Sequence, residues 1–236
     1  RLGTIYTRVT GSGAYDERHK IDGEQWELLR DHVPSLIAAI SSGRTAGVNL
    51  QAGSHAQFLH AGRISAHYLD VLAIRPVAVR NCYDVEDRAG GYKANILSYG
   101  LWRNTFGSDP HIVGQAIRLK GEPYIVVGIL GEGSTTPLHA DLYTALQGTR
   151  KGEGAGTNFE VITRLRDGAT WQQADSEITR AWALRTRHFA LDNPGARVTY
   201  YSVPLQKGQT AQLRPQVLGL LLAAGLILLI ACANLA

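Results

Sequence analysis

Asp22-Gly-Glu-Gln-Trp-Glu-Leu-Leu-Arg-Asp-His-Val-Pro-Ser-Leu-Ile-Ala-Ala-Ile40 is the stretch whose reading decides the fold class. Asp22 followed three residues later by Gln25 is a capping-box pattern, in which two side chains satisfy the first free backbone N–H groups of a helix. Trp26, Leu29 and Val33 then recur at helical spacing. Pro34 lacks an N–H and disfavours helix in the residue before it, so the helix stops there. Leu36–Ile40 is a short apolar run that reads as a strand. Upstream, Thr4–Val9 alternates as a strand and Gly11-Ser12-Gly13 breaks it. The three pieces make a β-α-β unit.

The same order of signals returns after residue 158. Phe159–Leu165 alternates, Asp167-Gly168 turns, and Thr170-Trp-Gln-Gln173 has the form of a second capping box. Ala174, Ile178 and Ala181 stripe the helix it opens, and Arg185 and Arg187 suit a C-terminal end, where the helix dipole favours cations. Asn193-Pro-Gly195 turns into a strand over Val198–Leu205. Between the two units the chain is β-rich. Phe58–Ile64 and Lys93–Leu97 read as strands, and Ser65 is placed to cap a short helix carrying Tyr68, Leu69 and Leu72. Ser98 caps a helix with Tyr99, Trp102 and Phe106 on one face and Gly107 as its C-cap. Gln115–Leu119 and Tyr124–Leu130 flank Lys120-Gly-Glu-Pro123, a hairpin signal. Tyr124–Leu130 is apolar on both faces and reads as a central strand. Gly148, Gly152, Gly154 and Gly156 read as a flexible link. Two β-α-β units bracketing a β-rich insert imply an α+β fold with a discontinuous body and a second body inserted in it.

From Pro215 to Ala236 no residue is charged, and most are Leu, Ile, Val or Ala. About 20 such residues span a hydrocarbon core of roughly 30 Å. Lys207 and Arg214 precede the run, where basic side chains reach lipid headgroups. A buried helix of a large core is the alternative, but such helices seldom lack a polar face over this length. Gly219 and Ala223 form a small patch that either admits a second helix closely or is merely tolerated. The expectation is a body of some 210 residues leading into a membrane helix over residues 213–236, begun but not completed.

The chain has 236 residues and no Met, and it opens Arg1-Leu2-Gly3, which reads as a fragment or processed piece. No signal-peptide pattern opens it. Its 24 basic and 20 acidic residues are spread along the chain, giving a net charge of +4. A nucleic-acid binder would cluster the basic residues and interleave aromatics. Cys82 and Cys232 lie in different regions and imply neither a disulfide framework nor a metal pair.

No pattern in the sequence marks a catalytic, cofactor-binding or metal-binding residue. The glycines of 148–156 lack the Lys-Ser/Thr of a phosphate-cradling loop. His60 and His67 on one strand would face opposite ways, which sets them and His55 against a metal cluster. Asp84, Glu86 and Asp87 lack the ligand alternation and central Gly of a calcium loop and read as solvated charge. Tyr99, Trp102 and Phe106 serve either as an aromatic shelf or, more simply, as the core face of a helix. No cofactor and no enzyme activity follow from these residues.

Four stretches carry a resemblance. Ile64-Ser-Ala-His-Tyr-Leu-Asp-Val-Leu-Ala-Ile-Arg-Pro76 resembles a motif of the MacB-like periplasmic core domain of FtsX/MacB-type ABC transporter permeases. Leu97–Gly114, continuing through Ile117–Gly128, is the most specific match and is similar to the Acidobacterial duplicated orphan permease family. Asn158–Thr170 and Leu226–Ala236 complete it, and the resemblance covers most of the chain beyond Gln25. Two departures stand out: Val77-Ala-Val-Arg-Asn-Cys82 replaces the usual Gly-Arg-x-Phe after the Pro, and Ala73 replaces a common Gly.

The resemblance implies a bipartite extracytoplasmic domain between two membrane helices. A porter-like lobe would comprise residues 1–50 and 151–212, with a sabre-like lobe, residues 51–150, inserted. It implies a noncatalytic role in passing ATP-driven movement to the envelope side of a bacterial inner membrane, with residues 1–212 periplasmic. The partners implied are the lipid bilayer, a separate ATP-binding subunit or domain, and a second permease half or dimer; nucleic acid is not among them. From another class, a membrane-anchored ligand-binding or sensor domain fits the same anchor and body.

Overall fold

Asp22 caps its helix as the capping box requires: its carboxylate accepts a 2.9 Å hydrogen bond from Gln25 N–H, and Gln25 Oε1 accepts one of 3.2 Å from Asp22 N–H. The computed structural model describes residues 1–11, 16–52, 55–79, 84–206 and 217–225. In chain order, strands Leu2–Thr10 (β1), Asp16–Arg18 (β2) and Lys20–Ile21 (β3) precede helix Gly23–His32 (α1) and strand Leu36–Ser41 (β4). Ala46–Ala52 (β5) and His55–Ile64 (β6) lead to the one-turn helix Tyr68–Val71 (α2) and to Pro76–Val79 (β7). Ala94–Leu97 (β8), helix Tyr99–Phe106 (α3), Ala116–Leu119 (β9), Glu122–Leu130 (β10) and Leu142–Ala145 (β11) follow. Phe159–Leu165 (β12), helices Trp171–Ala181 (α4) and Ala183–Asp192 (α5), and Arg197–Pro204 (β13) complete the series.

The two β-α-β units interlock. Their four long strands pair antiparallel in the order β4-β12-β1-β13, the arrangement of a split βαβ sheet. Gly3 lies opposite Pro204, so the outer strands of the two units run side by side. Adjacent strands lie about 4.7–4.9 Å apart, so the chain enters and leaves this sheet side by side. Helices α1, α4 and α5 cover one face of this sheet. Trp26, Leu29, Ile178 and Trp182 pack there on Ile5, Ile40, Phe159 and Val161. Each such fully buried side chain contributes about 1.5–3 kcal/mol. Trp182 also donates a 3.1 Å hydrogen bond from Nε1 to the Gln25 carbonyl, which ties α4 to α1.

The middle of the chain closes on itself. β5 pairs with β6 and β9, β9 with β10, β10 with β8, β8 with β11, and β11 returns to β6. The six strands form a ring, a small barrel filled by Leu50, Leu59, Leu97, Leu119, Val126 and Leu142 and sealed by Leu101 of α3. β10 is central as the sequence indicates, with β8 along one edge and β9 and β7 along the other. The chain is thus a mixed α+β fold.

Several expectations are corrected. Ala46–Ala52 carries no strand signal, yet it is a strand because β6 and β9 pair with it. Ser65 does not cap α2; His67 stands at that N-cap with φ 65°, and the Ser65 hydroxyl is used elsewhere. Thr170 caps α4, but Gln173 does not close the box, because its amide donates to Glu177 instead. The helix ends at Ala181, and Arg185 lies in the next helix, where it pairs with Asp22 and Glu24 at the start of α1. Of the glycines of 148–156, Gly148 and Gly154 are packed close rather than serving as a loose link, while Gly152 faces open space at a positive φ of 61°. A Cβ on Gly154 would stand 1.3 Å from the Thr149 carbonyl oxygen, and one on Gly148 would stand 3.1 Å from Ile40. Glycine is used there for close backbone approach.

Among the described residues no helix is long and apolar enough to cross a membrane. Residues 217–225 are helical; the rest of the apolar run, Cys82, Cys232, and the break at Ser12-Gly13 lie outside the described residues.

Candidate functional site

The seam between the four-stranded sheet and the barrel holds the buried polar residues Ser41, Ser65 and Glu86. β4 meets β6 at one register pair, Ser41 with Ile64, among the described residues. Ser65 supplies what a longer ladder would. Its Oγ accepts a 2.9 Å hydrogen bond from Ile40 N–H, its own N–H donates to the Ile40 carbonyl at 2.9 Å, and Ser42 N–H donates to the Arg63 carbonyl at 3.0 Å. On the far side Leu146 N–H donates to the Ile64 carbonyl at 2.8 Å, and Arg63 Nη2 donates to the Leu146 carbonyl at 2.9 Å. The Arg63 guanidinium also pairs with Glu153. Both passages of the chain between sheet and barrel are therefore held to β6.

Asp87 forms the second clasp. Its two carboxylate oxygens accept from Ala66 N–H at 3.0 Å and Gln147 N–H at 2.8 Å. Gln147 in turn donates from Nε2 to the carbonyls of Glu86 and Gly91, and Glu86 is buried. Burial pushes the Asp87 carboxyl above the usual carboxylate range, and the two backbone N–H groups pull it partly back. The acidic stretch is thus pinned to the seam, and only Asp84 of its three carboxylates is exposed as the solvated-charge reading expects. The lone signal in the sequence was the density of acid next to a glycine pair, which does not say what the acid faces.

Tyr68 of α2 fills the seam from below. It is buried, and burial pushes its hydroxyl up to about 12 while a hydrogen bond with Ser41 acts the other way. Arg164 Nε of β12 donates a 2.7 Å hydrogen bond to the Val71 carbonyl, fastening α2 to the sheet. Cavities flank these clasps. One of about 570 Å³ is lined by charges of both signs, among them Arg30, Asp31, His67 and Asp84. Another of about 200 Å³ opens between Thr4, Tyr6, Tyr68 and Leu205. The hydrogen bonds do not act alone: a third apolar cluster, in which Ala39 and Ile162 of the sheet meet Tyr68 and Leu69 of α2 and Ile64, Ile96, Val127 and Tyr143 of the barrel strands, spans the junction.

The residues weighed as chemistry in the sequence are dispersed. His60 stands 3.7 Å from Asp141, whereas His67 stands 3.1 Å from Asp70 and 3.3 Å from Asp84. Among the described residues no group of three or more His, Cys, Asp or Glu is arranged to hold a metal ion. Tyr99 and Trp102 meet edge to face at 5.7 Å, and Trp102 and Phe106 pack on the barrel core, but Leu101 is the deeply buried member of α3. The shelf is the outer part of a core face.

Residues 1–181 match the family described as the MacB-like periplasmic core domain. Solved structures share the fold. A domain of a protein assigned as a permease from Porphyromonas gingivalis superposes with a TM-score of 0.62 at 15% identity, covering 87% of this chain and 90% of that one. The extracellular domain of the ABC-type transporter YknZ from Gram-positive bacteria gives 0.53 at 14% identity, over 84% and 99%. The periplasmic region of MacB from Actinobacillus actinomycetemcomitans gives 0.53 at 14% identity, over 83% and 88%. No curated protein matches the chain.

Proposed function

Because the chain belongs to the family of the MacB-like periplasmic core domain, we propose that it is the noncatalytic extracytoplasmic domain of an ABC-type transporter permease. It passes ATP-driven movement of membrane helices to the envelope side of a bacterial inner membrane. Residues 1–50 and 151–212 form the porter-like lobe, residues 51–150 the inserted sabre-like lobe, and residues 213–236 enter the membrane. Its partners are the bilayer, a separate ATP-binding subunit or domain, and a second permease half or dimer.

The observation that carries this reading is the pairing of Gly3 with Pro204. Chain entering and leaving the body at one point of one sheet delivers any displacement of two membrane helices to that sheet together. The seam then converts it into a change of angle of the barrel, a change that requires differential contacts in two states. The exposed Leu220, Leu221 and Leu222 of the helix at 217–225 support a membrane neighbour, since a run of exposed large apolar side chains marks an interaction surface.

The test locks the seam. Cysteines placed at Ser41 and Ile64, directly opposed in the ladder, are within the Cα separation a disulfide accepts. In the full-length permease with its ATPase, oxidation is expected to abolish ATP-coupled activity and reduction to restore it. Full activity in the oxidised, verified cross-linked protein overturns transmission through the seam.

A further inference from the structure

The two edges of the four-stranded sheet are finished differently. At β13 the Asp175 carboxylate of α4 accepts from both the N–H and the hydroxyl of Ser202, which guards part of that edge. At β4 the guard is Ser65, which takes both the N–H and the carbonyl of Ile40. Along an antiparallel strand, alternate residues turn their backbone groups to the same edge. Ala38 N–H and C=O therefore point the way of Ile40, away from Thr163, the register partner of Ala38 on β12. The Ser35 carbonyl keeps the opposite phase, accepting from Arg166 N–H at 2.9 Å. Among the described residues β6 meets β4 only at Ser41, so it leaves Ala38 without a strand on that side. An open edge of this kind is a template for another strand. Here it opens into the cavity of about 570 Å³, which Leu36 and Ala38 line. Trp26 and Leu29 of α1 wall the cavity from the helix-covered face of the sheet, and Ala66 and His67 from the side of α2.

The charges around this groove are unequally committed. Asp31 holds the Arg30 guanidinium at 2.7 Å, Asp70 and Asp84 flank His67, and Asp87 accepts from two backbone N–H groups. Arg88 and Arg166 line the same cavity, are exposed, and have no side-chain hydrogen bond or ion pair among the described residues. The uncommitted groups are thus two cations beside one backbone donor and acceptor. We propose that the groove takes an acidic peptide in extended conformation, added to β4 as a short strand. One peptide residue exchanges both backbone hydrogen bonds with Ala38, and the peptide carboxylates pair with Arg88 and Arg166. In such additions main-chain pairing supplies affinity and the flanking side chains choose the partner. The five residues Leu36–Ile40 offer roughly 17 Å of edge at about 3.3 Å each, so the added strand is short. A simple anion would answer the arginines but has no donor for the Ala38 carbonyl. A basic peptide would complete the edge but repel both arginines. The inference stands independently of the permease reading.

NMR titration of the whole chain with the peptide acetyl-Ala-Glu-Ala-Glu-Ala-amide tests this. The Ala38 N–H resonance is expected to move downfield and its hydrogen exchange to slow. Three comparators are each expected to bind about tenfold more weakly, the difference one well-made hydrogen bond provides. They are the same peptide with Lys for Glu, the acidic peptide methylated on every backbone nitrogen, and free glutamate. Arg88→Gln and Arg166→Gln are each expected to weaken the acidic peptide about threefold, the scale of an exposed ion pair. Ala38→Pro deletes the donor at an edge position, where proline is accepted, and is expected to weaken it about tenfold. Equal binding of the acidic and basic peptides, or of the methylated and unmethylated ones, would overturn the proposal. So would glutamate binding as tightly as the peptide, an unmoved Ala38 N–H, or no binding at millimolar peptide. Should Ala38→Pro fail to fold, the probe ranking and the wild-type Ala38 resonance decide the matter alone.

Discussion

The four-stranded sheet and the barrel bury similar apolar side chains by opposite means. The sheet draws β1 and β13 from the two ends of the described body and relies on helices to cover it, with Trp182 fixed to Gln25 and edge-on to Tyr200 at 4.7 Å. The barrel is made from one continuous stretch and needs no helix to close its ring, because β11 returns to β6. The sheet's integrity therefore depends on contacts remote in sequence. The barrel's depends on the register of a closed ring, and in that ring a whole side-chain amide, Asn95, is left unpaired where the buried side chains of the sheet orphan only the hydroxyls of Thr163 and Ser35 among the described residues. The contrast teaches that contiguity in sequence does not guarantee a fully paired interior.

The widest separation between the two regions is expected from Trp182→Ala. Removing a fully buried indole costs about 3–5 kcal/mol, read as a lower urea midpoint. If the regions open independently, amide hydrogen exchange will quicken in β1 and β13 while β9 and β10 keep their protection. Equal quickening in both would show that they unfold as one unit. Gly154→Ala probes the return passage from barrel to sheet. With no room for a Cβ beside Thr149, the passage must shift, at about 1–3 kcal/mol; a variant as stable as the wild type by the same urea measurement would show the packing to be slack. Ser65→Ala bares the Ile40 N–H at the seam and is expected to cost about 1–2 kcal/mol. Its signature is faster exchange at Ile40 with little change at Trp182.

The smallest effect is a difference of sign with pH. Burial pushes the Glu177 carboxyl up, but hydrogen bonds from Ser35 and Gln173 more than offset this and leave it lowered. A carboxyl lowered on folding stabilises above its unfolded value, near 4.5, and that contribution is lost as pH falls through the still lower folded value. Asp87 is raised, chiefly by burial, so its penalty is complete above the folded value and is relieved as pH falls through it towards 3.8. Acid titration followed by the urea midpoint is expected to show a loss from Glu177 and a partly offsetting gain from Asp87, while the amides of Ser35, Ala66 and Gln147 exchange faster locally as each carboxylate acceptor loses its charge. Asp87→Asn should flatten the second trend and leave the first.

What the sequence made legible follows from how local each cause is. The Asp22 box, the Ser98 cap and the αL Gly107 depend on residues within four positions, and each stands where its pattern indicates. The two β-α-β units were legible from their shared order of signals, but their interleaving in one sheet was not, because it is set by pairings remote in sequence. Ala46–Ala52 was not legible because its strand state is imposed by neighbours on both sides; alone, Ala, Gly, Asn and Gln are poor strand formers. The break at Trp182 was hidden for a related reason, since a buried indole bonded to another helix sets it. At the seam, Ser65 and Asp87 looked like a cap and a solvated acid, as short polar residues do until what they face is known. Asn95 lay inside a correctly read strand, but its exceptional status is a property of the ring around it.

The antiparallel placement of Gly3 beside Pro204 also fixes how the body responds to load. The two strands enter and leave at the same end of their pair, and their hydrogen bonds lie across the strand direction. A pull that spreads the two attachment points would open the ladder one rung at a time from Gly3 and Pro204 towards Thr10 and Arg197, as a zipper opens. A lift or tilt applied to both points together strains no single rung and carries the sheet as one piece. The domain is stiff to concerted motion at its feet and weak to their separation, so anything anchored there must hold the feet together for force to travel further.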